Sequence, residues 1–153
     1  MSSYRKLEFK DIAGYYPYGL CYTNFHHGSV FEIELYNCGM EKLMQNSNLY
    51  KLVLRPLSDL YRTIRHNGKE FIPILELIKI GVKGEMNWEV QSDRAVVGDG
   101  VFTFEYKEKE NGFAYCNNHC GCKYLPLSNQ AILFDLLNDW KIDYRGLIDG
   151  GWQ

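Results

Sequence analysis

Apolar and polar residues alternate along the early part of the chain. From Phe31 to Tyr36 the alternation is strict, as it is in a half-buried β-strand. Residues 20–25 are rich in β-branched and aromatic side chains, and the polar link His26-His27-Gly28-Ser29 precedes the next strand. The two segments predict an antiparallel hairpin. Residues 49–55 predict a further strand.

Helical spacing of apolar residues is present in two segments of the first half. Residues 7–16 carry a ragged apolar stripe that ends before Pro17, which lacks the N–H that a helix interior needs. Residues 57–64 predict a two-turn helix with Ser58 as its N-cap. The dipeptide Asn67-Gly68 would close this helix.

Two later segments also predict helices. Residues 71–80 are too densely apolar for a clean period, so a helix after Pro73 is favoured and a buried strand is the alternative. The C-terminal segment predicts an amphipathic helix capped by Ser128. Its apolar face has the spacing i, i+3, i+4, i+7 and consists of Leu133, Leu136, Leu137 and Trp140.

Residues 85–124 have the pattern of β structure. Strands are predicted at 101–106 and 113–115, with Asn111-Gly112 as a hairpin signal between them and Gly98 to Gly100 as an earlier turn. The predicted fold class is α+β. It is a single compact domain over residues 1–153, mainly antiparallel sheet with two or three short helices and the amphipathic C-terminal helix.

Composition narrows the classes of function. The chain has 153 residues, 46% of them hydrophobic, and a net charge of −2. Proteins that bind nucleic acid without sequence preference usually carry a basic excess, so this class is disfavoured. There is neither an apolar run of membrane-spanning length nor a secretory h-region. With an odd number of cysteines, five, these features predict the cytoplasm, no membrane partner and no disulfide framework.

Aromatic residues make up 15% of the chain, and tyrosine accounts for 12 of them. Tyrosine is common in small cores and at interfaces. The turn Tyr15-Tyr16-Pro17-Tyr18 is the candidate for an exposed binding patch. Arg145, in the polar and aromatic segment 143–149, either joins such a patch or pins the tail by pairing with a carboxylate.

The densest group of potential metal ligands lies between residues 116 and 122. Thiolates and imidazoles are the ligands of structural zinc, and the candidates here are Cys116, His119, Cys120 and Cys122. The spacing matches no standard zinc pattern, and four ligands from one loop would be cramped. Ordinary reduced cysteines are therefore favoured, with no cofactor, and zinc is the alternative.

Three stretches together resemble a known family: Tyr16-Pro17-Tyr18-Gly19-Leu20, residues 54–60 with 67–74, and residues 134–137 through 143–149. The chain resembles a family of small, functionally uncharacterised proteins of phages and mobile elements in Bacteroidetes-type bacteria. The family offers no assigned catalytic residues. The resemblance implies action inside the host bacterial cell, where such accessory proteins bind a host protein or sequester a nucleotide signal in counter-defence.

No catalytic motif is present, so the first hypothesis is a non-enzymatic binding protein. Its partner would be a host protein, a second copy of itself in a homo-oligomer, or a small nucleotide. The alternatives are a metal-stabilised interaction module that uses the cysteine cluster and a small hydrolase or transferase without a recognisable motif.

Overall fold

A computed structural model describes residues 9–15, 18, 21–24, 30–32, 50–119 and 121–147. The chain divides into two compact units. The first comprises Met1–Pro56 and Leu137–Gln153, and the second comprises Leu57–Leu136. Both units contain helix and antiparallel strands, which confirms the predicted α+β class. The assignment of all 153 residues to one domain stays a prediction.

The first unit contains a short helix and a three-stranded antiparallel sheet. Helix α1 spans Phe9–Ile12. Strand β1 (Cys21–Asn24) is central and pairs with β2 (Val30–Glu32) and β3 (Tyr50–Val53). The pairing of β1 with β2 confirms the predicted hairpin. The remainder of its predicted second strand, 33–36, lies outside the described residues.

The C-terminal residues pack against the N-terminal ones within this unit. The Arg55 N–H donates to the Lys141 carbonyl at 2.7 Å, and the Asp143 N–H donates to the Arg55 carbonyl at 2.8 Å. Ile12 and Tyr15 are fully buried, as is Ile142. These contacts give the first unit a core to which both ends of the described chain contribute.

The second unit is built on a five-stranded antiparallel meander. Its order is β10-β9-β8-β7-β6, and its strands are β6 (Glu89–Val90), β7 (Ala95–Val97), β8 (Phe102–Lys107), β9 (Gly112–Asn117) and β10 (Lys123–Tyr124). Because side chains alternate between the faces of a sheet, β8 has one aromatic face, with Phe104 and Tyr106. Its polar face carries Thr103, Glu105 and Lys107.

Two longer helices accompany this sheet. Helix α2 spans Pro73–Gly81 and buries Ile74, Leu77 and Ile78, so the predicted helix after Pro73 is confirmed. Helix α3 spans Gln130–Asp139. It belongs to the second unit as far as Leu136. Its Phe134 ring lies 5.4 Å from Phe113 and 6.4 Å from Tyr106.

The C-terminal helix is confirmed, with small differences. Leu133, Leu137 and Trp140 are buried, as the periodicity predicts, and Leu136 is half-buried. The helix begins at Gln130, so Asn129 rather than Ser128 immediately precedes it. None of the helices in the described part of the chain has the length and apolar character needed to cross a bilayer.

The two-turn helix predicted at residues 57–64 is wrong. The segment forms a 3-10 helix, Leu57–Tyr61, followed by a two-stranded hairpin of β4 (Ile64–His66) and β5 (Lys69–Phe71). Asn67 and Gly68 have φ angles of 51° and 78°, the left-handed conformations that a two-residue hairpin turn requires. The Asn-Gly pair therefore connects strands and does not end a helix.

The second Asn-Gly pair lies in a longer turn than predicted. Residues Glu108–Glu110 form a 3-10 helix, Asn111 is left-handed, and Gly112 already belongs to β9, opposite Lys107. The hairpin of β8 and β9 is confirmed. Strand β9 also extends to Asn117, beyond the predicted end at residue 115.

Candidate functional site

Of the tyrosines in the predicted patch, Tyr15 does not lie at the surface. Tyr15 is fully buried, and its hydroxyl donates to the Ile142 carbonyl at 2.7 Å. Burial raises the pKa of Tyr15 above the ordinary tyrosine value. The structure therefore places Tyr15 in the core and not in an exposed patch. Tyr18 is 37% exposed, and Tyr16 lies outside the described residues.

Arg145 is exposed and interacts with its own unit. Its Nη1 donates to the Lys10 carbonyl at 3.3 Å, and its guanidinium lies 5.6 Å from the centroid of the Tyr144 ring. The Leu147 N–H donates to Asp143 Oδ1 at 2.6 Å. Arg145 thus holds the C-terminal segment through a backbone carbonyl, where the sequence suggested a carboxylate.

The predicted zinc ligands occupy different environments. Cys116 is buried on β9, whereas Cys122 and His119 are exposed. The His119 N–H donates to Asn117 Oδ1 at 3.0 Å. Cys120 lies outside the described residues. Within residues that are described, no three His, Cys, Asp or Glu side chains converge as a metal site would require. Zinc at this cluster stays a prediction.

Cys116 and Cys122 lie on the polar face of the meander, in a depression of about 900 Å³. We call it the sheet groove. The Asn118 Nδ2 donates at 3.1 Å to both the Gly100 carbonyl and Thr103 Oγ1. A connected polar network therefore forms part of the groove.

Carboxylates outnumber cations in the sheet groove. Arg94 and Lys107 are its basic residues, and four acidic side chains line it: Glu89, Asp93, Asp99 and Glu105. Arg94 lies 3.3 Å from Asp93 and 3.9 Å from Glu105, and Lys107 lies 3.9 Å from Glu105. Both cations already face carboxylates, so the groove is poorly suited to phosphate.

The buried thiol of the sheet groove is not activated. Desolvation raises the pKa of Cys116 to about 11, and the hydrogen bond with Cys122 adds to the rise. The thiolate is the nucleophilic form of cysteine. Cys116 therefore lacks the property that a catalytic cysteine needs at neutral pH.

A second concave surface lies beside α2 and encloses about 1220 Å³. We call it the helix groove. It is formed by β5, α2 and residues 82–88, and five half-buried apolar side chains line it: Phe71, Ile72, Leu75, Met86 and Trp88. Leu75 and its neighbours form a stripe at i, i+3, i+4 and i+7 along the helix: Ile72, Leu75, Glu76 and Lys79.

The helix groove has an acidic rim. Glu70 and Glu85 are exposed, and Glu76 pairs with Lys79 at 3.1 Å. Lys79 is thus already neutralised by a carboxylate of the same helix. The rim therefore takes its negative charge from Glu85 and from Glu70, which lies opposite Arg65 in the β4–β5 ladder.

Trp88 carries an unsatisfied polar atom at this groove. Its ring packs edge-on against Tyr115 at 6.0 Å. Its Nε1 is buried and finds no hydrogen-bond acceptor among the described residues. A buried indole N–H usually has a partner, so Trp88 is an exception among the buried polar side chains that the structure describes.

Sequence reasoning missed the helix groove. The signal was present in residues 71–80, because apolar residues occupy more of α2 than one buried face needs. Ile74 and Leu77 account for the inner face, whereas Ile72 and Leu75 lie on the groove stripe.

A comparison of the chain with family models, curated proteins and solved structures finds no match.

Proposed function

We propose that this is a non-enzymatic binding protein that holds a segment of a partner protein in the helix groove. The segment combines apolar side chains with lysine or arginine. The observation that carries the proposal is the half-buried apolar lining of the groove, with Trp88 and Met86 among its members. Tryptophan and methionine are both enriched at protein interfaces, and methionine adapts to varied partners.

The size of the groove supports a peptide over a small molecule. Small-molecule sites have volumes of roughly 300–1,000 Å³, and the helix groove, at about 1220 Å³, exceeds that range. The stripe from Ile72 to Lys79 runs along most of α2, a helix of nine residues. An extended or helical segment can follow such a stripe, whereas a compact ligand would leave part of it uncovered.

Charge supports the basic character of the segment. Glu70 and Glu85 stand exposed at the rim, and opposite charges across an interface steer association and select partners. The same reasoning disfavours a nucleotide in either groove, because carboxylates exceed cations in both. A host protein is therefore the partner that we propose for the setting in phages or mobile elements implied by the resemblance.

The raised pKa of the Cys116 thiol favours a binding protein over the alternative of a hydrolase or transferase. In a nucleophilic relay, a base or a lowered pKa activates the attacking group. Cys116 shows the opposite shift, because desolvation raises its pKa.

The test is selection of random peptides of about twelve residues, long enough to span the groove stripe, on the immobilised full chain. We expect selected peptides to be rich in Lys or Arg and in apolar residues. Affinity is then measured by fluorescence polarisation with labelled peptides. Leu75→Ala should weaken binding about fivefold or more, since buried apolar anchors dominate such interfaces. Glu85→Lys should also weaken peptide binding. The loss of affinity should be larger at low salt than at high salt, because salt screens exposed charges.

Two matched variants control for non-specific effects. Ile132→Ala shortens an exposed apolar residue on α3, and Glu108→Lys reverses an exposed charge outside both grooves. Both should bind like the wild type. Selected peptides that are acidic, or that bind the groove variants as tightly as the controls, would refute the proposal. Self-association lost in Leu75→Ala would instead identify a second copy as the occupant.

A further inference from the structure

The thiols of Cys116 and Cys122 are neighbours on the polar face of the meander. Cys116 lies opposite Tyr124 in the β9–β10 ladder, and Lys123 lies opposite Asn117. Cys122 directly precedes β10, two residues before Tyr124. Both thiols line the sheet groove.

The two thiols differ in access and in rigidity. Cys116 is 2% exposed within β9. Cys122 is exposed and precedes β10. The residue before it, Gly121, has a φ of 91°, a backbone conformation that favours glycine. One sulfur is therefore fixed, while the other is accessible to reagents and lies outside the paired strand.

We propose that Cys116 and Cys122 form a thiol-modification site that reacts with small-molecule disulfides and closes to an intramolecular disulfide. This site is independent of the helix groove. An exposed attacking thiol beside a second thiol is the arrangement that thiol–disulfide exchange requires. Closure brings the two sulfurs to the covalent distance of about 2.05 Å, and the movement falls to Cys122, which is exposed and lies outside the paired strand.

The exchange takes place in two steps. The Cys122 thiol loses its proton to solvent, and its sulfur attacks one sulfur of the small disulfide. A mixed disulfide forms and one small thiolate leaves. The Cys116 thiol then loses its proton, which is the slow step because burial raises its pKa. Its sulfur attacks the Cys122 sulfur, and the second small thiolate leaves. Each small thiolate takes up a proton. Two protein thiols are oxidised, and one small disulfide is reduced to two thiols.

Glutathione disulfide is the probe for the test, added to the reduced full chain after chelator treatment. Peptide mass mapping should show a Cys116–Cys122 disulfide and no retained glutathione. In Cys116→Ser, glutathione should stay on Cys122, because the resolving thiol is missing. In Cys122→Ser only the buried Cys116 thiol remains of the pair. The rate at which glutathione disulfide consumes thiol at this site should then fall by about tenfold or more. The control Cys21→Ser should react like the wild type at this site.

Circular dichroism establishes that each variant folds before the reaction is compared. A disulfide that maps to another pair would overturn the proposal. So would wild-type protein that retains glutathione on Cys122. Thiols that react only after the chelator removes stoichiometric zinc would assign the pair to a metal site and also overturn it.

Discussion

Replacing Tyr15 with phenylalanine separates a core role from a binding role for this residue. The change removes one hydroxyl and leaves the ring, which is fully buried. The hydroxyl donates to the Ile142 carbonyl at 2.7 Å, and the same carbonyl also accepts from the Tyr144 N–H at 2.9 Å. Ile142 therefore keeps one partner in the variant, and no acceptor is left wholly unsatisfied.

The expected loss of stability follows from that geometry. A net hydrogen bond contributes about 1 kcal/mol, and the larger penalty for an orphaned buried acceptor does not apply. Tyr15→Phe should thus lower the free energy of unfolding by about 1 kcal/mol at neutral pH, or lower Tm by roughly 2–4 °C for a chain of this size. Tyr15→Ala removes the ring as well and should cost about 3–5 kcal/mol.

The pH dependence of stability gives a second, independent test of the core role of Tyr15. Burial raises the pKa of Tyr15 in the folded state, whereas an unfolded tyrosine ionises near about pH 10. The unfolded chain therefore releases this proton first, and the stability that Tyr15 contributes is lost as pH rises above 10. By about pH 11 the loss is roughly 1.4 kcal/mol. Phenylalanine does not ionise and has no such loss. The difference in the free energy of unfolding between Tyr15→Phe and the wild type should therefore close near that pH.

Urea unfolding followed by circular dichroism at pH 7, 9 and about 11 measures both effects. Tyr18→Phe is the matched control, since Tyr18 is 37% exposed, and should change stability by less than about 0.5 kcal/mol. A Tyr15→Phe variant as stable as the wild type at pH 7, with the same pH profile, would refute the core role. Loss of partner binding in that variant would restore Tyr15 to an exposed patch.

Substitutions at three further places test the packing, each by urea unfolding. Gly68→Ala should cost about 1 kcal/mol, because Gly68 has a φ of 78° and a Cβ there meets nothing within 4 Å, so an unchanged stability would argue against the turn. Gly14→Ala places a Cβ 2.9 Å from Asn138 Oδ1 and should cost about 1–2 kcal/mol; the additional change Asn138→Ala should recover part of it. Leu133→Ala should cost about 2–5 kcal/mol and Ile132→Ala less than about 0.5 kcal/mol, because Leu133 is fully buried and Ile132 is 47% exposed; equal costs would contradict the orientation of α3.

The elements that the sequence predicted well are those in which one period dominates. Residues Phe102–Lys107 alternate strictly between the aromatic and the polar face of the meander, so the strand was visible without tertiary information. The C-terminal helix has one apolar stripe, and its buried residues Leu133, Leu137 and Trp140 follow it. In both cases burial on a single face produces the pattern.

The error at residues 57–68 has a different origin. Ser58 and Asp59 suit the start of any helix, and Asn67-Gly68 suits both the end of a helix and the turn of a hairpin. What decides between these readings is long-range. Leu60 is fully buried, and the Tyr61 hydroxyl accepts from the Tyr106 N–H at 3.1 Å. A contact across 45 residues leaves no trace in local composition.

The helix groove shows which signal a sequence can carry for a binding surface and which it cannot. A short helix against one neighbour needs one apolar face, and α2 has Ile74, Leu77 and Ile78 for that purpose. The additional apolar residues, Ile72 and Leu75, are an excess that the sequence alone explains equally well by complete burial. Only the structure shows them half-buried beside acidic side chains. Apolar density beyond one face therefore indicates either a buried helix or an open groove, and charge at the groove rim favours the second.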